Sequence, residues 1–384
     1  MLRLGRGVLI QLISSSSASP VSQLHRLLSS AVPRISPNPS FAVEDYLVGT
    51  CGLTRAQALK ASTKLSHLKS PTNPDAVLAF LAGLGLSSAD VADAVTKDPQ
   101  LLCANVEKTL VPVVTGLTGL GLSRDEIARL VPLAPGRIRS RTIMSKLLYY
   151  LPIFGSFENL LRAVKYDTAL LAYDVERTVK PNVAVLRECG LCDCDIAKLS
   201  IAVPKMLTNN LERVRSIVAC AEGLGVPRGA PMFRHALHAV AFLSEEKIAA
   251  KMELLKKTFR WSDAEVGIAV SKAPCVLTKA KDMLQAKSDF LISDVGLEPA
   301  YIAHQPAFLS YSLEGRLRPR YYVVKFLKEN GLVKRDPSYS TVAKLTEKEF
   351  VEKFICPHKE AAPHLSEDYA SACAGEVPAR FIFA

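Results

Sequence analysis

The sequence predicts an all-α protein, an α-solenoid of about eight stacked helical repeats wound into a curved superhelix. Three recurrences predict it: an anchor pair at near-constant spacing, a capped helix start in register with it, and glycines where each long apolar segment ends. The anchor is a residue, often proline, followed three positions later by Leu or Ile. It occurs at Leu65 and Leu68, Pro99 and Leu102, Pro135 and Ile138, Asp167 and Leu170, Pro204 and Leu207, Val240 and Leu243, Pro274 and Leu277, and Pro306 and Leu309. From Pro99 onward the spacings are 36, 32, 37, 36, 34 and 32 residues. Five of the eight anchors are proline although the chain has only 23 prolines, so chance is a poor explanation.

Six or seven residues after an anchor comes a residue able to cap a helix, with glutamate two further on: Asn105 and Glu107, Asp174 and Glu176, Asn210 and Glu212, Ser312 and Glu314. A side-chain oxygen there satisfies an orphan amide, and the first-turn carboxylate opposes the helix macrodipole. Each of these positions therefore starts a helix. The helices run on through apolar positions three and four apart, such as Leu110, Val113, Val114 and Leu117, and stop at glycines in "GLGLS", "ECGL", "EGLGV", "DVGL" and "ENGL". A shorter amphipathic segment follows, as in "SRDEIARLV", "CDIAKLSIAV" and "DAEVGIAVSK". The next anchor proline then breaks the chain between helices. No single unit can bury its apolar face alone, so the units must stack.

The chain divides into an N-terminal segment 1–40, a repeat region 41–355 and a C-terminal tail 356–384. The first segment has the composition of an organellar transit peptide: Arg3, Arg6, Arg26 and Arg34 lie among leucines and serines, and the first acidic residue is Glu44. A serine-rich disordered tail is the competing reading. The spaced arginines and "HRLLSSA" point to the mitochondrial matrix, with the chloroplast as the alternative.

The 48 Lys and Arg against 37 Asp and Glu give a net charge of +11, which favours a polyanionic partner. The uncharged stretch 109–123 is too short for a membrane span and is interrupted by Pro112, Gly116, Gly119 and Gly121. The nine cysteines do not form a framework. Cys189, Cys192 and Cys194 include a C-x-x-C with no second pair at zinc-finger distance, and Cys356, His358, His364 and Cys373 are irregularly spaced, so no metal site is assigned. The phosphate loop G-x-x-x-x-G-K, H-E-x-x-H and G-x-S-x-G are all missing from the sequence, which argues against an enzyme and against a cofactor or small-molecule substrate.

Taken together, the P-x-x-L anchor, the glutamate at the helix start, the Leu-Gly-Leu turn and the Asp-Ile-Ala segment resemble the mitochondrial transcription termination factor (mTERF) family. "FAVEDYLVGTCGLTRAQALKAS", "NPDAVLAFLAGLGLSSADVADAV" and "SLEGRLRPRYYVVKFLKENGLV" resemble its land-plant organellar branch. The resemblance runs from about Phe41 to Ala374. It implies stacked helical triplets with a basic inner surface that binds organellar nucleic acid, acting in transcription termination, transcription regulation or RNA maturation. The sequence departs from the pattern at Asp167 and Val240, which replace proline, and at "LYYLPIFGSF", which replaces the Leu-Gly-Leu turn.

The cations recur with the repeat. Lys108, Arg177, Arg213, Lys247, Lys281 and Arg316 fall in the first turns of equivalent helices, with Arg215, Lys251 and Arg318 close beyond. Arg137, Arg139, Arg141 and Lys146 form an acid-free cluster in "APGRIRSRTIMSK", and Arg320 completes an alternating trio with Arg316 and Arg318. One register of a solenoid lines up as a stripe, which is the expected site for phosphates. A local salt bridge to the first-turn glutamate is the competing explanation at any single position. The expected partner is organellar double-stranded DNA or structured RNA, with other organellar gene-expression proteins as further partners. A helical-repeat scaffold for a protein partner is the alternative class.

Overall fold

The computed structural model describes residues 41–333 and 337–381, and among these every regular element is helical. The transit-peptide expectation for 1–40 lies outside the described residues. No helix among the described residues is long and apolar enough to cross a membrane.

Each unit is built from three helical pieces. The long helices begin where the capping residues stand. Asn105 Oδ1 accepts from the Lys108 amide at 2.7 Å, Asp174 Oδ1 from Arg177 at 2.8 Å, Asn210 Oδ1 from Arg213 at 2.8 Å and Ser312 Oγ from Gly315 at 3.0 Å. Ser244 caps a fifth through the Lys247 amide. The second, shorter helices start on capping boxes, in which a hydroxyl and an acid three residues on satisfy each other's backbone amides: Ser87 with Asp90, Ser123 with Glu126 and Ser262 with Glu265.

The remaining piece, which opens each unit ahead of its long helix, is the anchor itself. The proline was expected to break the chain, but P-x-x-L forms a short helical turn of its own, with proline in its first positions. It is a 3₁₀ helix at Pro99–Cys103, Pro274–Thr278 and Pro306–Ser310, and a short α-helix at Pro135–Ile138. Proline fits there because the first helical N–H has no acceptor within the helix. Thr168–Leu171 forms the same turn without proline, with Asp167 Oδ1 taking the Ala169 amide. At Val240 the position instead closes the helix Phe233–Val240, and Leu243 follows in a turn. Leu102, Ile138, Leu170, Leu207, Leu277 and Leu309 are all fully buried. The anchors are therefore the core contacts between units: Thr72–Leu84 packs on Pro99–Cys103, and Phe233–Val240 on Pro274–Thr278.

The glycines end the helices in the left-handed region, with φ of 106° at Gly85, 90° at Gly121 and 83° at Gly190. Gly155 does the same at 69°, so the atypical "LYYLPIFGSF" ends its helix as the other units do. Among the described residues one unit lacks the glycine. Arg260 adopts φ 57° there, and Trp261 stacks on Phe259 with ring centroids 4.6 Å apart.

Among the described residues three long helices open with a wide, π-type turn: Val106–Leu110, Val175–Val179 and Leu313–Leu317. Each is followed two residues later by a proline, Pro112, Pro181 or Pro319. Proline offers no N–H to the ordinary ladder, and the wide turn accommodates it by bonding five residues back, as the Leu110 amide does to Asn105 O.

The segment 356–384, expected as a tail, is folded onto the last unit over its described part. Helix Leu365–Cys373 and Phe381 share a second core with Val323, Leu327, Val342 and Phe350.

Candidate nucleic-acid interface

The capping bonds fix where the first-turn cations stand. Lys108, Arg177, Arg213 and Lys247 each donate their backbone amide to the capping side chain, so all four occupy the same third position of their helices. All four are exposed, as are Lys281 at the start of Lys281–Asp289, Arg141 just before Thr142–Phe154, and Arg137 in the preceding short helix. Among the described residues none of these seven side chains forms an ion pair.

The neighbouring glutamates do not neutralise them. Glu176 pairs with Lys180 at 2.6 Å, Glu212 with Arg215 at 3.0 Å and Glu314 with Arg318 at 2.8 Å. Adjacent helix positions point apart, whereas residues three or four apart face each other. The local salt bridge therefore exists in these units, but it uses the next cation along.

The other expected stripe residues are committed elsewhere. Arg139 is held by Asp98, at 2.7 Å from Nη2. Arg215 and Arg318 belong to the pairs just named, and Arg318 also lies over the Phe290 ring. Arg316 stacks over Tyr311 and reaches Leu345 O at 3.4 Å. Arg320 is 0% exposed, so it cannot reach a phosphate at the surface. Its Nη1 donates to the carbonyls of Val342, Ala343 and Leu345 at 3.1, 3.2 and 2.6 Å, its Nη2 meets Glu347 at 3.0 Å, and its guanidinium lies over the Phe350 ring.

Arg320 is one of a set that the sequence did not reveal. Lys146 Nζ donates to Leu171 O and Ala172 O at 2.7 and 2.9 Å, and burial lowers the pKa of its ammonium. Lys251 Nζ reaches Lys279 O at 2.7 Å, and Lys287 Nζ reaches Leu309 O at 2.7 Å. Asn73 bridges Leu102 O and Ala104 O, and Asn182 bridges Leu207 O and Asn209 O. In every case a polar side chain on one unit's long helix satisfies carbonyls at or just beyond the end of the next unit's short turn, where the helix leaves acceptors without donors. Lys146, Lys251 and Arg320 thus serve as clamps between units.

Two hollows flank Arg137. One, of about 610 Å³, is lined by Lys97, Asp98, Arg139 and Thr168; the other, of about 650 Å³, by Lys146, Tyr149, Asp174 and Lys180. Burial lowers the pKa of both His235 and His238, with Arg234 adding to the effect, so neither is set up to carry charge at neutral pH.

Comparison with known proteins agrees with this architecture. The mTERF family profile matches residues 78–155 and 134–351. The chain is 22% identical over 301 residues to the mitochondrial transcription termination factor MTEF18 of Arabidopsis thaliana, covering 76% of this chain and 50% of that protein. It is also 22% identical over 265 residues to the chloroplastic transcription termination factor MTERF8 of the same plant, covering 67% of this chain and 51% of that one. The chain thus spans about half the length of these relatives. With the repeat, its anchors and its capped helices in place across the matched region, the chain belongs to the mTERF family.

Proposed function

We propose that the protein binds double-stranded DNA inside an organelle and regulates transcription there, with Lys108, Arg137, Arg141, Arg177, Arg213, Lys247 and Lys281 as its phosphate contacts. One observation carries this reading: the cation at the third helical position recurs exposed and without an acid partner in four helices, and beside Arg177 and Arg213 the first-turn glutamates pair with Lys180 and Arg215 instead. Repeated, unneutralised charge at one register suits a polymer of phosphates, which supplies affinity without sequence readout. The names of the relatives, transcription termination factors of mitochondria and chloroplasts, favour transcription and an organelle. The composition of residues 1–40 favours the mitochondrion, and import of a reporter carrying residues 1–50 tests that assignment.

The interface is tested by titrating duplex DNA across a salt series with the wild-type protein and with an Arg177→Gln, Arg213→Gln, Lys247→Gln variant. Three lost phosphate contacts make the log–log slope shallower by about 3. The melting temperature stays unchanged, because the backbone amides still reach their caps. An unchanged slope in the folded variant overturns the interface. Binding of structured RNA in preference to duplex DNA overturns the choice of partner.

A further inference from the structure

The second-helix capping register carries a hydroxyl at Thr54, Ser87, Ser123, Ser156 and Ser262, and each accepts a backbone amide. In the second helix Asp193–Ala202 the same position is Cys192, whose side chain accepts no cap bond. The acid of the capping box remains as Asp195, and Cys194 lies between them. The result is two exposed thiols and a carboxylate side by side. Cys192 Sγ is 3.0 Å from Cys194 Sγ and 3.3 Å from Asp195 Oδ2, and the three donor atoms lie within 4.8 Å of one another.

We propose that Cys192, Cys194 and Asp195 form a binding site for one thiophilic divalent cation of the zinc class, with solvent completing the coordination. Two features beyond proximity support it. The donor set is two sulfurs and one oxygen, a combination that zinc accepts at about 2.3 Å and 2.0–2.2 Å. The carboxylate is also already oriented from behind: Arg234, on the facing helix Phe233–Val240, holds Asp195 Oδ1 at 3.2 Å and leaves Oδ2 turned to the thiols. A partner that fixes a ligand through its other atom is how metal sites are commonly supported.

Binding exchanges protons for metal. Each thiol loses its proton to solvent as its sulfur joins the cation, so two protons are released per ion and no electron is transferred. The sulfur pair opens to about 3.7 Å to span a tetrahedral ion, a small side-chain rotation for two exposed residues. Cys189 is fully buried and takes no part, although it stands in a C-x-x-C with Cys192.

The test uses the full chain, reduced and stripped of metal, titrated with cadmium as a thiophilic probe and read by its ultraviolet thiolate charge-transfer band. Zinc is then measured by competition with a chromophoric chelator. One equivalent should produce the band, and a Cys192→Ser, Cys194→Ser variant should lose it. That variant restores the hydroxyl cap of the other units, so it should melt no lower than the wild type without metal. Asp195→Asn should keep the band but weaken zinc binding about tenfold or more. A band of the same size in the double variant overturns the site, and unchanged zinc affinity in Asp195→Asn overturns the carboxylate's part in it.

Discussion

The ammonium of Lys287 lies 2.7 Å from the carbonyl oxygen of Leu309, joining one unit's long helix to the short turn of the next, and the lysine is only 2% exposed. Burial, reinforced by the charge of Lys279, lowers its pKa from 10.5 to about 8. Below pH 8 the folded and unfolded chains both hold the proton. Between about 8 and 10.5 the unfolded chain holds more, so this group's contribution to stability rises with pH. Buried thiols such as Cys51, pushed up to about 11, pull the other way, so the effect must be read as a difference between proteins. Denaturant melts of wild type and Lys287→Met at several pH values should show the wild-type advantage growing by about 1–2 kcal/mol from pH 8 to 10.5. A constant difference would remove the buried-ammonium account.

Asn182 satisfies two carbonyls with one amide group, donating to Leu207 O at 3.0 Å and Asn209 O at 2.8 Å. Asn182→Leu keeps the volume and leaves those acceptors without a donor. Equilibrium unfolding should register a loss of about 2 kcal/mol. A neutral result would mean that water or neighbouring amides replace the clamp.

Arg260 holds a left-handed conformation that strains any residue with a Cβ. Arg260→Gly relieves that strain, and its site is exposed, so little packing is lost. A gain of about 0.5–1 kcal/mol is expected in a thermal melt. Destabilisation instead would show that the arginine stem contributes more by covering Trp261 than the strain costs.

Arg320 separates stability from binding. Arg320→Ala leaves three carbonyls unsatisfied and opens space beside Phe350, at a cost of about 3–5 kcal/mol. Arg320→Lys, which keeps one donor group, should lie between the alanine variant and the wild type. At a temperature where the protein stays folded, its salt slope on duplex DNA should match the wild type. A slope shallower by 1 would show that Arg320 reaches phosphate after all.

The anchors, caps and glycine stops could be read from the sequence because each has a local cause within a few residues of chain. The clamps could not. Asn73, Lys146, Asn182 and Arg320 are of three different residue types, and their partners are backbone carbonyls more than twenty residues away that leave no mark on the sequence. Alternation misled at Arg316, Arg318 and Arg320, because helix positions two apart face different ways. Arg320 turns into the core, while Arg316 and Arg318 settle on Tyr311 and Glu314. The helix positions of Lys108, Arg177, Arg213 and Lys247 were legible, since the capping residue three positions earlier fixes them.

The wide turns before Pro112, Pro181 and Pro319 bear on how such a chain can vary. Asn182 and Arg320 stand eight residues beyond the residue just before their helix, whereas Lys251 and Lys287, in long helices that open without a wide turn, stand seven beyond theirs. The additional residue is absorbed within one loop of backbone, and the side chains downstream keep their bearing toward the next unit. The wide turn works like a slip joint in a drive shaft: length changes while rotational phase does not. An inserted residue at that point leaves the neighbouring interface aligned, whereas the same insertion farther along the helix would rotate everything after it by about 100°.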